Sequence, residues 1–293
     1  MKLSHVSLSK SERGGAGYWT KARVAKVKPA PLPEAAPGAL PNLRAQPRAG
    51  RPLRVQPQAP TVGSQRPVRK ALPVLDPTQY PYSANGLVLF NMGGGSYGCS
   101  GTVIASPNQS VVFTAGHCVN DGGPHGPWAN HFVFAPGYHD GIAPFGYFKA
   151  REIWSTGPWL NSGNFSYDMG AVVLQRRAGQ TVGSVAGSRG IAFNQDRNQT
   201  YDAFGYPGGG VFDGEHQEEC LSPFLRNDTS TNLPLTFAIT CDMTEGASGG
   251  GWIIGDHFEN GLTSYGYTNE PNALYSPYFG NAAKGLWRKV RSR

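Results

Sequence analysis

Forty glycines and 24 prolines are scattered through the 293 residues without a period, and that punctuation constrains the fold more than any motif does. In a helix interior a glycine costs about 1 kcal/mol and a proline about 3 kcal/mol relative to alanine. A helical bundle and a coiled coil are therefore disfavoured, and the missing Gly-X-Y period disfavours a collagen helix. The chain can still build a core, because 39% of it is apolar and 11% aromatic. No apolar run approaches the ~18 residues that a membrane-spanning helix needs, so no transmembrane segment is expected. A turn-rich, β-dominated globular protein remains.

The formal net charge of +7 averages over two unlike parts. Residues 1–75 carry 14 Lys or Arg against Glu12 and Glu34, a net charge of +12, and hold 11 of the prolines. Tyr18 and Trp19 are the aromatics of that stretch. Such a composition buries too little apolar surface to offset the entropy of ordering. We therefore expect a disordered basic arm over residues 1–75, acting as a propeptide or linker, and a folded domain over residues 76–293. Arg69-Lys70 is the expected cleavage point, since it closes the basic stretch. Met1-Lys2-Leu3-Ser4-His5 leads into no apolar h-region of a signal peptide. The competing use of the arm is to bind a polyanion. Its charges are spread among prolines rather than clustered, so nucleic acid is not an expected partner.

Cys99, Cys118, Cys220 and Cys241 all lie in the folded part, and no CxxC pair occurs. That spacing is unlike a structural zinc site. Four cysteines allow three pairings, and two disulfides imply export to an oxidising compartment. Short β-like runs appear at residues 86–90, 101–105, 111–114, 171–174, 201–204, 235–239 and 251–254, divided by turn residues. Residues 281–290 differ, with Ala282, Ala283, Leu286, Trp287 and Val290 at helical spacing. Many short strands and one terminal helix suggest barrels or a sandwich.

Three motifs carry chemistry. Thr114-Ala-Gly-His-Cys118 follows an apolar strand, Asp168 precedes a buried one, and Glu245-Gly-Ala-Ser-Gly-Gly250 sets a single serine among glycines. A serine hydroxyl is a weak nucleophile and needs an imidazole to take its proton. The imidazole needs a carboxylate on its other nitrogen to hold the tautomer. Glycines beside the serine let backbone N–H groups turn toward a developing oxyanion.

In this order the motifs resemble the trypsin/chymotrypsin-like serine peptidases, particularly their bacterial and glutamyl-endopeptidase-like branches, over roughly residues 85–293. Gly98-Cys-Ser-Gly-Thr-Val-Ile104 together with Thr114-Ala-Gly-His-Cys118 is the most specific stretch. The resemblance implies two packed six-stranded antiparallel β-barrels with a C-terminal helix and a cleft between them. It implies a secreted, monomeric endopeptidase acting on proteins or peptides through His117, Asp168 and Ser248, with no cofactor or metal. The N–H groups of Gly246 and Ser248 would form the oxyanion hole, and Ser264, Tyr265 and Gly266 would pair with the substrate backbone. It implies a Cys99–Cys118 bridge, and we expect Cys220–Cys241 as the second. Asp242, six residues before Ser248, stands where trypsin-like members carry the carboxylate that binds Arg or Lys; capping a turn is its alternative role. Thr263 stands where the glutamyl branch carries a His. Ala247 replaces the Asp that pairs with a new N-terminus in zymogen-activated members.

Two other readings compete. Gly246-Ala-Ser-Gly-Gly250 also satisfies the nucleophile elbow of α/β-hydrolases, but their acid and His follow the serine, and His257 alone does so here. A catalytically silent binding protein on the same fold, working through its basic arm, is the second. His125, His131 and His139 are expected to be solvated loop residues, and His216 to sit in an acidic loop.

Overall fold

The computed structural model describes residues 2–14, 17–33, 50–58 and 70–293. Its first four strands come from the segment expected to be disordered: β1 (Leu3–Ser7), β2 (Lys28–Pro29), β3 (Leu53–Val55) and β4 (Leu72–Pro73). Six further strands follow, β5 (Asn85–Met92), β6 (Gly95–Ile104), β7 (Val111–Thr114), β8 (Asn130–Pro136), β9 (Phe148–Thr156) and β10 (Gly170–Leu174). They close in the order β5-β6-β7-β10-β9-β8 and back to β5, every neighbour antiparallel. Closure removes the unpaired edges that an open sheet would expose. Val88, Phe90, Val112, Phe132 and Val172 point into its core and are fully buried.

The second body holds β11 (Gly190–Phe193), β12 (Thr200–Gly205), β13 (Glu218–Asn227), β14 (Phe237–Thr240), β15 (Gly251–Ile254), β16 (Phe258–Leu262) and β17 (Ala273–Ser276). Its order is β17-β14-β13-β12-β15-β16-β11, with β3 added at the edge of β11 and β4 on β13. Among the described residues no ladder returns from β17 to β11, and β11 meets β16 in parallel through two residue pairs. This body is therefore a sheet with its own core around Tyr201, Phe237 and Trp252, where a second closed six-stranded barrel was expected. The terminal helix, Asn281–Val290, buries Ala283, Leu286, Trp287 and Val290 against the barrel core, as its spacing predicts. The Trp287 indole N–H donates to the Ala105 carbonyl at 3.0 Å. No helix among the described residues is long and apolar enough to cross a membrane.

The expectation of a disordered arm does not fit the described parts of residues 1–75. Strand β1 lies antiparallel along β9, from Leu3 opposite Thr156 to Ser7 opposite Glu152. Trp19 is buried and its indole N–H donates to the His131 carbonyl at 2.8 Å. Composition misleads here because a backbone ladder orders a segment without demanding apolar side chains, and one tryptophan supplies the anchor. Lys70 is exposed, whereas Arg69 of the expected cleavage point lies outside the described residues.

Both disulfides join the expected partners, Cys99 to Cys118 and Cys220 to Cys241. The second closes a loop with a sequence separation of 21. The double variant Cys220→Ser/Cys241→Ser should lose about 3 kcal/mol of stability by the loop-closure estimate, read by urea unfolding. An unchanged unfolding free energy would show that the loop is held by its ladders alone.

Candidate active site

At the end of β7 the chain leaves the barrel through Ala115-Gly116-His117-Cys118. The N–H groups of Val119 and Asn120 fold back onto the Gly116 carbonyl at 3.0 and 2.9 Å, and Cys118 is bridged to Cys99 on β6. His117 is thus presented by a loop pinned at both ends. A Cβ on Gly116 would sit 2.6 Å from Asp168 Oδ1 and 3.0 Å from Trp159 Cδ1. The glycine in Thr114-Ala-Gly-His-Cys118 is what lets a carboxylate approach this backbone.

That carboxylate ends a 3-10 turn, Phe165–Tyr167, whose N-cap Asn164 accepts the Ser166 N–H. Asp168 is fully buried. Its Oδ1 accepts the backbone N–H of His117 at 2.7 Å, and its Oδ2 faces His117 Nδ1 at 2.8 Å. A third donor comes from the other body, where the Ser264 hydroxyl donates to Oδ2 at 2.6 Å. Ser264 was expected on the strand that meets substrate; its bond to Asp168 was not legible in the sequence, because nothing local joins residues 96 positions apart. The edge of Trp159 packs on the His117 ring with centroids 6.3 Å apart.

The serine loop lies across the boundary between the two bodies. The Ser248 carbonyl accepts the Ser100 N–H of β6 at 2.8 Å and lies 3.7 Å from Cys118 Sγ, next to His117. Gly249 has φ +82°, and a Cβ there would sit 2.1 Å from Thr114 Oγ1 and 2.5 Å from the Ser100 carbonyl. Ala247 is buried against Gly205, so no charge precedes the serine. Two buried polar atoms at this junction, Ser248 Oγ and His117 Nε2, have no hydrogen-bond partner among the described residues. The direct bond expected between them is not formed; such bonds often tighten only with substrate.

The remaining expected residues divide. The Gly246 N–H, at φ +90°, donates to the Ala30 carbonyl at 3.2 Å, and the Gly266 N–H donates to the Pro33 carbonyl at 3.1 Å. The Ser264 and Tyr265 N–H groups are taken internally by the Tyr275 carbonyl. Asp242 Oδ1 accepts the Ala71 N–H at 2.7 Å, a long-range bond to the N-terminal segment that is neither a free pocket base nor a turn cap. It is absent from the walls of the cavity beside Gly266, which include Met243, Tyr267, Ala273 and Leu274. The Thr263 hydroxyl accepts the Trp252 indole N–H at 3.0 Å. In the acidic loop, His216 bridges Asp213 and Asp140 at 2.9 Å each.

The chain is similar to a thermostable serine protease, AL20, from an extremophilic microorganism: 38% identity, 72% of this chain and 97% of that one, TM-score 0.68. It belongs to the bacterial chymotrypsin-like serine proteases. No protein-family model matches the chain. Among curated proteins it is 34% identical over 108 residues to an extracellular metalloprotease of Bacillus subtilis and 36% identical over 110 residues to a glutamyl endopeptidase of Bacillus licheniformis. These stretches cover 36% and 38% of this chain; the chain covers about a third of those relatives, 33% and 32%.

Among the described residues, groups of three or more possible ligands are Cys99 with His117 and Cys118, and Cys220 with Cys241 and Asp242. In each, both sulfurs are spent in a disulfide. Gly249 combines a left-handed φ with a collision for any Cβ. Gly249→Ala should destabilise by more than about 2 kcal/mol, from the left-handed φ and the collision together. A melting temperature within a degree of the parent would show that the loop adapts.

Proposed function

We propose that the chain is an exported serine endopeptidase in which Ser248 attacks the peptide carbonyl, His117 takes and returns the proton, and Asp168 orients His117. The carrying observation is the buried Asp168, which holds both the backbone and Nδ1 of His117. With a proton on Nδ1 facing the carboxylate, Nε2 is the lone pair offered to a hydroxyl. The free atoms Nε2 and Ser248 Oγ are the pair the reaction needs. The N–H of Gly246, with that of Ser248, supplies the oxyanion donors. The bond to the leaving amine breaks as His117 gives its proton back, and water repeats the cycle on the acyl-enzyme. No step calls for a cofactor or a nucleic acid, and the enzyme acts as a monomer on proteins or peptides. Two disulfides support an extracellular site of action.

The expected preference for Arg or Lys before the cleaved bond rests on Asp242, which the Ala71 N–H engages. The cavity beside Gly266 has Met243, Ala273 and Leu274 in its walls together with Glu245 and Glu270, the latter paired with Arg226; the apolar part of this lining supports an apolar side chain there. Cleavage after Glu, the activity in the Bacillus licheniformis relative's name, draws no support from Thr263.

Ser248→Ala and His117→Ala should each abolish hydrolysis of a peptide library and labelling by a fluorophosphonate, while Asp168→Asn should lower turnover by about 10⁴-fold. The assay uses the full chain and the chain after limited proteolysis of the arm. Absence of labelling in both forms would favour a silent binding protein. Products ending in Arg or Lys, lost in Asp242→Ser, would restore the basic preference.

A further inference from the structure

We propose that residues 28–33 are an autoinhibitory strap, a segment of the chain that lies through its own cleft and takes the hydrogen bonds a substrate would use. The inference rests on the reading of Ser248 as nucleophile. Strand β2 runs parallel to β6, with Lys28 opposite Tyr97 and Pro29 opposite Gly98. The Ala30 N–H then donates to the Gly98 carbonyl at 2.7 Å. The Ala30 carbonyl accepts the Gly246 N–H and the Pro33 carbonyl accepts the Gly266 N–H, so one oxyanion donor and one donor of the substrate-pairing strand are engaged by one short segment. Ala30 is buried, and Leu32 packs on the second body's core. Space at the two glycines is filled by the same segment. A Cβ on Gly266 would meet Leu32 Cδ2 at 3.1 Å, and one on Gly246 would meet Pro29 Cβ at 3.3 Å.

Two features keep the strap from being cut by the serine it covers. The carbonyl held by Gly246 belongs to the Ala30–Pro31 bond, whose nitrogen is a tertiary amide in a ring and carries no N–H. The direction of the chain is also wrong for acyl transfer. The leaving amine must lie on the imidazole side, where His117 can protonate it, so residues following the attacked carbonyl belong there. Gly98 adjoins Cys99, which is bridged to the neighbour of His117. Beside it run Lys28 and Pro29, the residues preceding Ala30, while Pro31 to Pro33 lead away to Gly266. The strap therefore occupies the cleft backwards. It is anchored upstream by Trp19 and by β1 on β9, so the local concentration of the occupant is that of an intramolecular ligand.

Two variants loosen the strap without touching the triad: Leu32→Asp, and Pro29→Glu, which sets a carboxylate in the cavity that Pro29 shares with Asp213 and Glu215. In full-length chain carrying Ser248→Ala, hydrogen exchange should show the Gly246 and Gly266 amides protected, with either strap variant raising their exchange at least tenfold. Unchanged protection at Val112 and Val172 in the barrel reports that the variants fold. In full-length chain with Ser248 intact, the strap variants should react with a fluorophosphonate at least tenfold faster than the parent. Equal exchange at Gly246 and Gly266 with and without the strap variants overturns the docking, and equal labelling rates overturn the inhibition. If no form labels, even after the exchange shows the strap released, the nucleophile assignment fails and the inhibitory role falls with it, while the docking stands on the exchange data.

Discussion

A carboxylate out of reach of water is the interaction around which this molecule is arranged. Burying Asp168 costs several kcal/mol unless donors replace its hydration. The donors come from two places: the His117 backbone and ring on the barrel side, and the Ser264 hydroxyl from the second body. The same bonds that make burial tolerable also fix the imidazole and register one body against the other. Removing the Ser264 hydroxyl leaves Oδ2 with the imidazole alone, so stability and site geometry draw on one set of contacts.

The serine loop is held by the complementary device. Its backbone, rather than its side chains, spans the boundary, through the Ser248 carbonyl on the Ser100 N–H and the Gly249 N–H on the Thr263 carbonyl. Backbone can pass this close only where side chains are absent, which explains the glycines around Ser248. The loop's hydrogen bonds are made by main-chain atoms, and Ser248 Oγ has no partner among the described residues. If Ser248 is the nucleophile proposed above, a hydroxyl held in this way calls for control.

Control of that kind is consistent with how residues 2–33 are used. Strand β1 completes the ladder at β9, Trp19 plugs an apolar site, and the strap reaches the cleft between Gly98 and Gly266. Each contact is individually modest. Tethering makes them collectively effective.

Much of this was legible in the residues themselves. Short apolar runs between turn residues marked β7 and β15 at their observed bounds, helical spacing marked Asn281–Val290, and two of the motifs singled out His117 and Asp168, which meet through Nδ1 and Oδ2. These are local signals, carried by patterning and turn chemistry over a few positions. Strands such as β9 and β13, with charged residues inside them or a proline at position 223, lack that pattern and were missed. What the tertiary structure alone decided is long-range. It set the Ser264 hydroxyl on Asp168, tied Asp242 to Ala71 and laid Ala30 against Gly246. A hydroxyl, a carboxylate and a carbonyl look the same in any sequence; which donor each one meets depends on how two bodies and an arm pack, and packing joins residues that no local pattern connects.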